Sequence, residues 1–320
     1  MTRPRPKFDE LPLRQGHPPF SAWGLYGMDD ELGTLNLLTP STTLAAAAEM
    51  KTCVRIGLDL PINFVLKPSH ARRPLMHTVL RKDPRLVHDD ELQLNTQIST
   101  QWDGFRHYGY QQQRVFYNGV RKEEISGPGH PDKQGIDAWY QGPSITTKLG
   151  TQAWCKRAIV GRGVLLDYLR YAQMTGREYG LLGDYAITVE DLEACARAQG
   201  TLFKEGDILL VRSGWTIAYM KLTNEEKIAF SEAVPTVLVG LQTTIKTSKW
   251  LWDTGFSAYG GDSPGFERWP AVPGEGEVGG IGSLRLHEVM LNGWGMPIGE
   301  LCISRQQVRE GQRSANQMYR

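Results

Sequence analysis

From Leu92 to Asp103 the chain alternates: Leu92, Leu94, Ile98 and Trp102 share one parity, while Gln93, Asn95, Gln97, Ser99, Gln101 and Asp103 share the other. A period of two predicts a strand with one apolar face. The opposite face is a charge-poor row of amides and a hydroxyl ending in a carboxylate, a composition suited to the floor of a polar cavity. Gly104 then permits a turn. Around this stretch, Thr39 before Pro40 predicts a capped, alanine-rich helix running to Met50. Residues 54–61 alternate as a strand, residues 115–120 read as a short strand and turn, and residues 158–168 form an apolar strand broken by Gly161 and Gly163. Thr188 with Val189-Glu190-Asp191 is a capping box, starting a helix that ends near Gln199. A Gly206-Asp207 turn leads into a strand over 208–212, and further helices are predicted over 224–230 and 235–246. Strands alternating with capped helices indicate an α/β fold.

Composition narrows the function classes. The 320 residues carry 36 Lys and Arg against 35 Asp and Glu, a formal charge of +1, which offers no general attraction to nucleic acid or anionic membrane. No apolar run approaches the roughly 20 residues of a membrane span. The charged, Pro-rich first residues lack the apolar core of a signal peptide. Cys53, Cys155, Cys195 and Cys302 are far apart and read as buried free thiols of a cytoplasmic protein. Residues 1–20 read as an extended arm lying on the body or on a neighbouring subunit, residues 21–310 as a single catalytic domain, and residues 311–320 as a tail. Residues 124–150, rich in Gly, Pro and Lys, are a lid candidate, and residues 274–282 a glycine-rich loop between the last strand and the final helix.

Candidate chemistry centres on Asp103 and on His107, four residues later. An acid and a base beside a polar floor suit proton transfer. The plainer alternative is an Asp bonding turn amides and a His on the surface. His70, His77 and His88 have no ligand-like spacing and read as loop histidines. Gly261-Asp262-Ser263-Pro264-Gly265 satisfies the nucleophile-elbow pattern, but Pro264 has no N–H for an oxyanion hole, so Ser263 is not read as a nucleophile. Gly161 and Gly163 lack the third glycine of a dinucleotide loop, since position 166 is Leu166. Trp23 and Tyr26, with Trp102 and Tyr117, are candidates to wall an aromatic-binding pocket.

The central stretch resembles the motif His-x-Gly-Thr-His-x-Asp-x-Pro-x-His of the cyclase family that includes bacterial kynurenine formamidase and isatin hydrolase. Thr100, Asp103 and His107 match it, while the two metal-binding His positions are Gln97 and Gln101. Residues 204–214, the Gly-x-Asp-x-Pro-like segment over 260–267, Arg285-Leu286-His287 and Gly299-Glu300-Leu301 are similar to later family segments in the same order.

The resemblance implies a swivelling β/β/α-type α/β fold with a mixed sheet and flanking helices, subunits paired around the site, and addition of water to an amide, ester or lactone carbonyl of a small molecule. It implies Asp103, His287 and Glu300 as ligands of any metal and His107 as the acid/base group. With Gln at two ligand positions, the cofactor is either none or a divalent ion among Mn²⁺, Mg²⁺ and Zn²⁺; neutral amide oxygens suit Mg²⁺ or Mn²⁺ better than tightly bound zinc. Without a metal, Gln97 and Gln101 would donate to the substrate carbonyl as an oxyanion hole does. The same chemistry would also serve a metal-independent cyclase, isomerase or lyase, and loss of catalysis would leave a small-molecule binding protein.

Overall fold

The computed structural model describes residues 5–70, 72–126, 146–270 and 284–302. Strands β1 (Met76–Arg81) and β2 (His88–Gln93) form an antiparallel hairpin. Strands β3 (Gln101–Asp103), β4 (Gly163–Leu166), β5 (Ala186–Ile187), β6 (Ile208–Val211), β7 (Gly240–Leu241), β8 (Ala258–Gly261) and β9 (Ile298–Glu300) complete the set. Five of them make one sheet in the order β3-β9-β8-β6-β4, and β5 pairs with β7 apart from it. β4, β6, β8 and β9 run parallel, and β3 joins antiparallel at the edge. The architecture is mixed α/β, with a mixed sheet and flanking helices.

Two apolar clusters sandwich the sheet. Consecutive β8 residues face opposite ways: Ala258 packs with Trp23, Phe105, Tyr117 and Trp154, and Tyr259 with Leu209, Trp252, Phe266 and Met290. That is the two-residue period of a strand buried on both faces. The helices start where their caps dictate. Thr39 caps Pro40–Ala47, and Thr188 Oγ1 accepts from the Asp191 N–H at 3.1 Å to open Val189–Gln199. Thr223 caps Asn224–Glu232.

Several predicted elements differ. The stretch from Leu92 to Asp103 is not one strand: after β2, Asn95 caps a 3₁₀ turn over Thr96–Ile98 before β3 begins. Its supposed apolar face is divided, with Ile98 fully buried but Leu92 half exposed, because an Asn side chain that bonds the local backbone breaks the ladder. Residues 54–61 are extended without forming a strand, and Val54, Ile56 and Leu58 are exposed. The helix predicted over 235–246 is instead β7 followed by a helix over Ile245–Thr254, capped by Thr244. The last described element is strand β9, preceded by a buried π-helical turn over Glu288–Trp294. Cys53 and Cys155 are exposed, not buried, and all four cysteines are free.

The described part of the N-terminal arm, from residue 5, lies on its own chain's body. The Phe8 N–H donates to Asp253 Oδ1 at 2.9 Å, the Trp252 indole donates to the Pro6 carbonyl at 2.8 Å, and the Phe8 ring stacks on Phe20. Most of the lid candidate, the glycine-rich run 274–282 and the tail 311–320 fall outside the described residues. No helix among the described residues is long and apolar enough to cross a membrane.

Candidate active site

Four separated stretches bring the site together. The β3/β9 pairing sets Gln101 directly opposite Glu300, so the two side chains share a face and the Gln101 amide donates to Glu300 Oε2 at 2.7 Å. Asp103, two residues along β3, falls on the same face and is buried. Gln97, from the 3₁₀ turn, donates to Asp103 Oδ1 at 2.5 Å, and its Oε1 accepts from the Gln101 amide at 3.3 Å. His107 follows in a turn closed by its own N–H on the Gly104 carbonyl at 2.9 Å. His287 enters at the start of the π-helical turn, its Nε2 3.8 Å from Asp103 Oδ2 and 3.5 Å from Glu300 Oε1. His107 Nε2 is 3.7 Å from the same Asp103 oxygen.

His287 is held from behind by a residue the sequence reading did not single out. Glu267 is buried; its Oε1 accepts from the His287 Nδ1 at 2.7 Å and from the His287 backbone N–H at 3.1 Å. Its Oε2 accepts from the Leu286 N–H at 2.9 Å and the Thr243 hydroxyl at 2.7 Å. The available signal was its place at the end of the 260–267 segment, an acid following Gly-x-Asp-x-Pro.

The environment drives the two histidines apart. Burial by surrounding protein pushes the His107 pKa below its ordinary value; the Asp103 charge opposes this, and His287 and Arg72 reinforce it. Burial also disfavours the charged form of His287, but Asp103, Glu267 and Glu300 together raise its pKa well above the ordinary value. At neutral pH His107 is therefore neutral and His287 an imidazolium. Burial pushes Asp103 upward, yet His287, His107 and the Gln97 amide hold it below the usual carboxylate value. Burial, followed by the Asp103 charge, pushes Glu300 up to about 7.

Gln97, His107, His287 and Glu300 line a cavity of about 220 Å³. Trp215, Tyr219, Phe230 and Leu238 supply its apolar wall, and it also reaches His70 and Arg72. The expected pocket aromatics stand elsewhere. The buried Trp23 donates its indole N–H to the Asn292 carbonyl at 2.6 Å, and the buried Tyr117 hydroxyl donates to Asp30 at 3.1 Å. Tyr26 does not line the cavity, and Trp102 projects from the opposite face of β3 from Gln101 and Asp103. The glutamine amides are aimed at carboxylates. Both Gln101 donor contacts go to Gln97 and Glu300, so it has no donor directed at a substrate carbonyl.

The donor chemistry fits a divalent ion. Asp103 Oδ2 is buried without a hydrogen-bond partner, and ligand atoms of Asp103, His107 and His287 all lie within 4.8 Å of one another. This trio exchanges Glu300, of the expected ligand set, for His107. It also restores two nitrogen donors where the motif has Gln97 and Gln101. The Glu267 bond to Nδ1 orients His287 as a carboxylate orients a metal-ligating imidazole.

No curated protein matches the chain. Among solved structures, one titled as a novel cyclase is similar at 27% identity, covering 94% of this chain and 91% of the other with a TM-score of 0.70. Isatin hydrolase A from Labrenzia aggregata, bound to benzyl benzoate, is 15% identical over 86% of this chain and 88% of its own, with a TM-score of 0.47. The Ralstonia solanacearum isatin hydrolase A is 13% identical over 82% and 84%, with a TM-score of 0.48. The family described as "Putative cyclase" matches residues 36–268, most of the chain, and with Asp103 and His107 inside that span the protein belongs to the cyclase family.

Proposed function

We propose that this protein is an enzyme that adds water to the carbonyl of a small amide, ester or lactone. Membership of the cyclase family supports a hydrolase- or cyclase-like role on a small molecule. The observation that carries the hydrolytic reading is the convergence of His107 and His287 on one Asp103 oxygen, at 3.7 and 3.8 Å, with both rings lining an aromatic-walled cavity.

His107 Nε2 takes a proton from water, whose oxygen attacks the carbonyl carbon. The His287 imidazolium, fixed by Glu267, faces the oxygen on which negative charge develops. Glu300, with a pKa of about 7, hands a proton to the departing nitrogen or oxygen as the carbonyl bond to it breaks. His107 thus serves as base and Glu300 as acid, groups whose surroundings set their proton affinities apart from their ordinary values, while His287 stabilises charge. With a divalent ion present, Asp103, His107 and a His287 that has given up its Nε2 proton would hold it; the ion would supply polarisation of the carbonyl and a lowered pKa of bound water, and Glu300 would be left to move protons.

Purified protein is incubated with formamides, lactones and cyclic amides, with EDTA or with added Mn²⁺, Mg²⁺ or Zn²⁺, and products are weighed by mass spectrometry. Gain of one water supports the reading. Mass-neutral conversion would make the protein a cyclase or isomerase instead, and saturable binding without turnover a binding protein. We also propose that the protein acts in the cytoplasm as a homodimer or larger homo-oligomer. Exposed apolar side chains on residues 54–58 and on the β1/β2 hairpin support the assembly.

A further inference from the structure

We infer that the ligand of this cavity carries a carboxylate, and that Arg285 is the residue that recognises it. Besides the His287 imidazolium, one Lys and two Arg side chains line the cavity, Lys67, Arg72 and Arg285, and two of these three are already engaged. Lys67 is paired with Glu232. Arg72 lies in the field of Glu300 and Asp103, so its charge offsets theirs.

Arg285 differs in three respects. Its guanidinium lies over the Trp269 ring, 3.8 Å from Cζ to the ring centroid, which fixes the plane of its donor fork. Its Nη1 is buried and has no hydrogen-bond partner. The nearest acid in sequence, Glu288, feels the Arg285 charge but accepts hydrogen bonds from backbone donors, the Gln111 N–H at 2.9 Å and the Arg285 N–H at 3.3 Å, so it leaves the Arg285 Nη1 without an acceptor.

A buried donor without an acceptor is costly, and a planar guanidinium matches a carboxylate with two parallel hydrogen bonds. Tyr108 and His287 line the same cavity, their rings 5.8 Å apart, and Arg285 precedes His287 by two residues. The anionic group is therefore held in the cavity that contains the reacting groups, on the same small molecule. The walls of Trp215, Tyr219, Phe230 and Leu238 suit an apolar or aromatic body. At about 220 Å³ the cavity is smaller than the roughly 300–1,000 Å³ typical of drug-sized ligands, so the occupant is compact. The use made of the bound acid rests on the hydrolase reading; its recognition does not.

The test is calorimetric titration of the full-length protein with benzoate and with its neutral counterpart benzamide, in EDTA so that no carboxylate–metal contact contributes. Wild-type protein is expected to bind benzoate at least tenfold more tightly, because a site built around a charged donor rejects an analogue that cannot pair with it. Arg285→Gln should erase the preference, and Arg285→Lys, which keeps the charge but loses the flat fork, should retain only part of it. Equal affinity for the two ligands, no benzoate binding at millimolar concentration, or an undiminished preference in a folded Arg285→Gln or Arg285→Lys protein overturns the inference. A protein that prefers benzoate but hydrolyses nothing would sink the hydrolase reading alone. Turnover indifferent to both the substrate carboxylate and Arg285 would sink this one alone.

Discussion

At the scale of single residues, chemistry here is set by what surrounds each group more than by its type. His107 and His287 carry the same ring, yet one is neutral because burial outweighs a single carboxylate, and the other charged because three carboxylates outweigh burial. With His107 as base, His107→Ala should lower kcat by ~10²–10⁴-fold while the circular dichroism spectrum stays unchanged; near-wild-type turnover by the folded variant would remove His107 from the mechanism. The pH profile follows from the same groups. Activity should rise as His107 loses its proton, below its ordinary value of 6.5, and fall as Glu300 loses its own near 7. The expected result is a narrow bell in kcat/KM with its top close to neutrality, and Glu300→Gln should abolish the alkaline limb. A limb that persists in that variant would assign the acid role to another group.

At the scale of elements, the site depends on backbone contacts remote from the chemistry. Strand β7 carries Gly240 against the chain at Glu267, where a Cβ on Gly240 would come within 2.4 Å of the Glu267 carbonyl carbon. Backbone on both sides of such a clash must move. Gly240→Ala should therefore destabilise the protein by ~1–3 kcal/mol and displace the carboxylate that holds His287, read as a lower melting temperature together with reduced kcat. Loss of stability with full activity would show that the His287–Glu267 bond tolerates the shift. Helix starts, by contrast, are local. Thr188→Ala removes one cap and should cost ~1 kcal/mol in denaturant melts without altering catalysis.

At the scale of the whole molecule, the exposed apolar side chains are unevenly distributed. Ile56, Met76, Val79, Leu92 and Trp102 are all exposed within one third of the chain, and β3 lies at the edge of its sheet. Surfaces of this kind mark association sites more often than solvated ones, and an open strand edge adds unpaired backbone groups. Light scattering at micromolar concentration should report a dimer or larger assembly, and Ile56→Glu combined with Val79→Glu should shift it toward monomer. A wild-type monomer would overturn the proposal.

Local rules carried the capped helix starts at Thr39 and Thr188, the helix beginning at Asn224, the strand at 208–211, the α/β class and the i to i+4 spacing of Asp103 and His107, because caps and short periodicities are written in neighbouring residues. Tertiary structure decided the rest. Gln101 meets Glu300 only through strand register across 199 positions, and Glu267 meets His287 only once β8 and the π-helical turn are packed. The alternation from Leu92 to Trp102 predicts one strand, but the Asn95 cap redirects the backbone, since a side chain bonding its own turn competes with the ladder. Trp23 and Tyr117 look like pocket residues in sequence and are core residues in space, because an aromatic ring serves either use and only the fold assigns it. The charge states of the two histidines depend on burial and on carboxylates contributed by segments far apart in sequence, Asp103, Glu267 and Glu300, so no reading of the linear chain contains them.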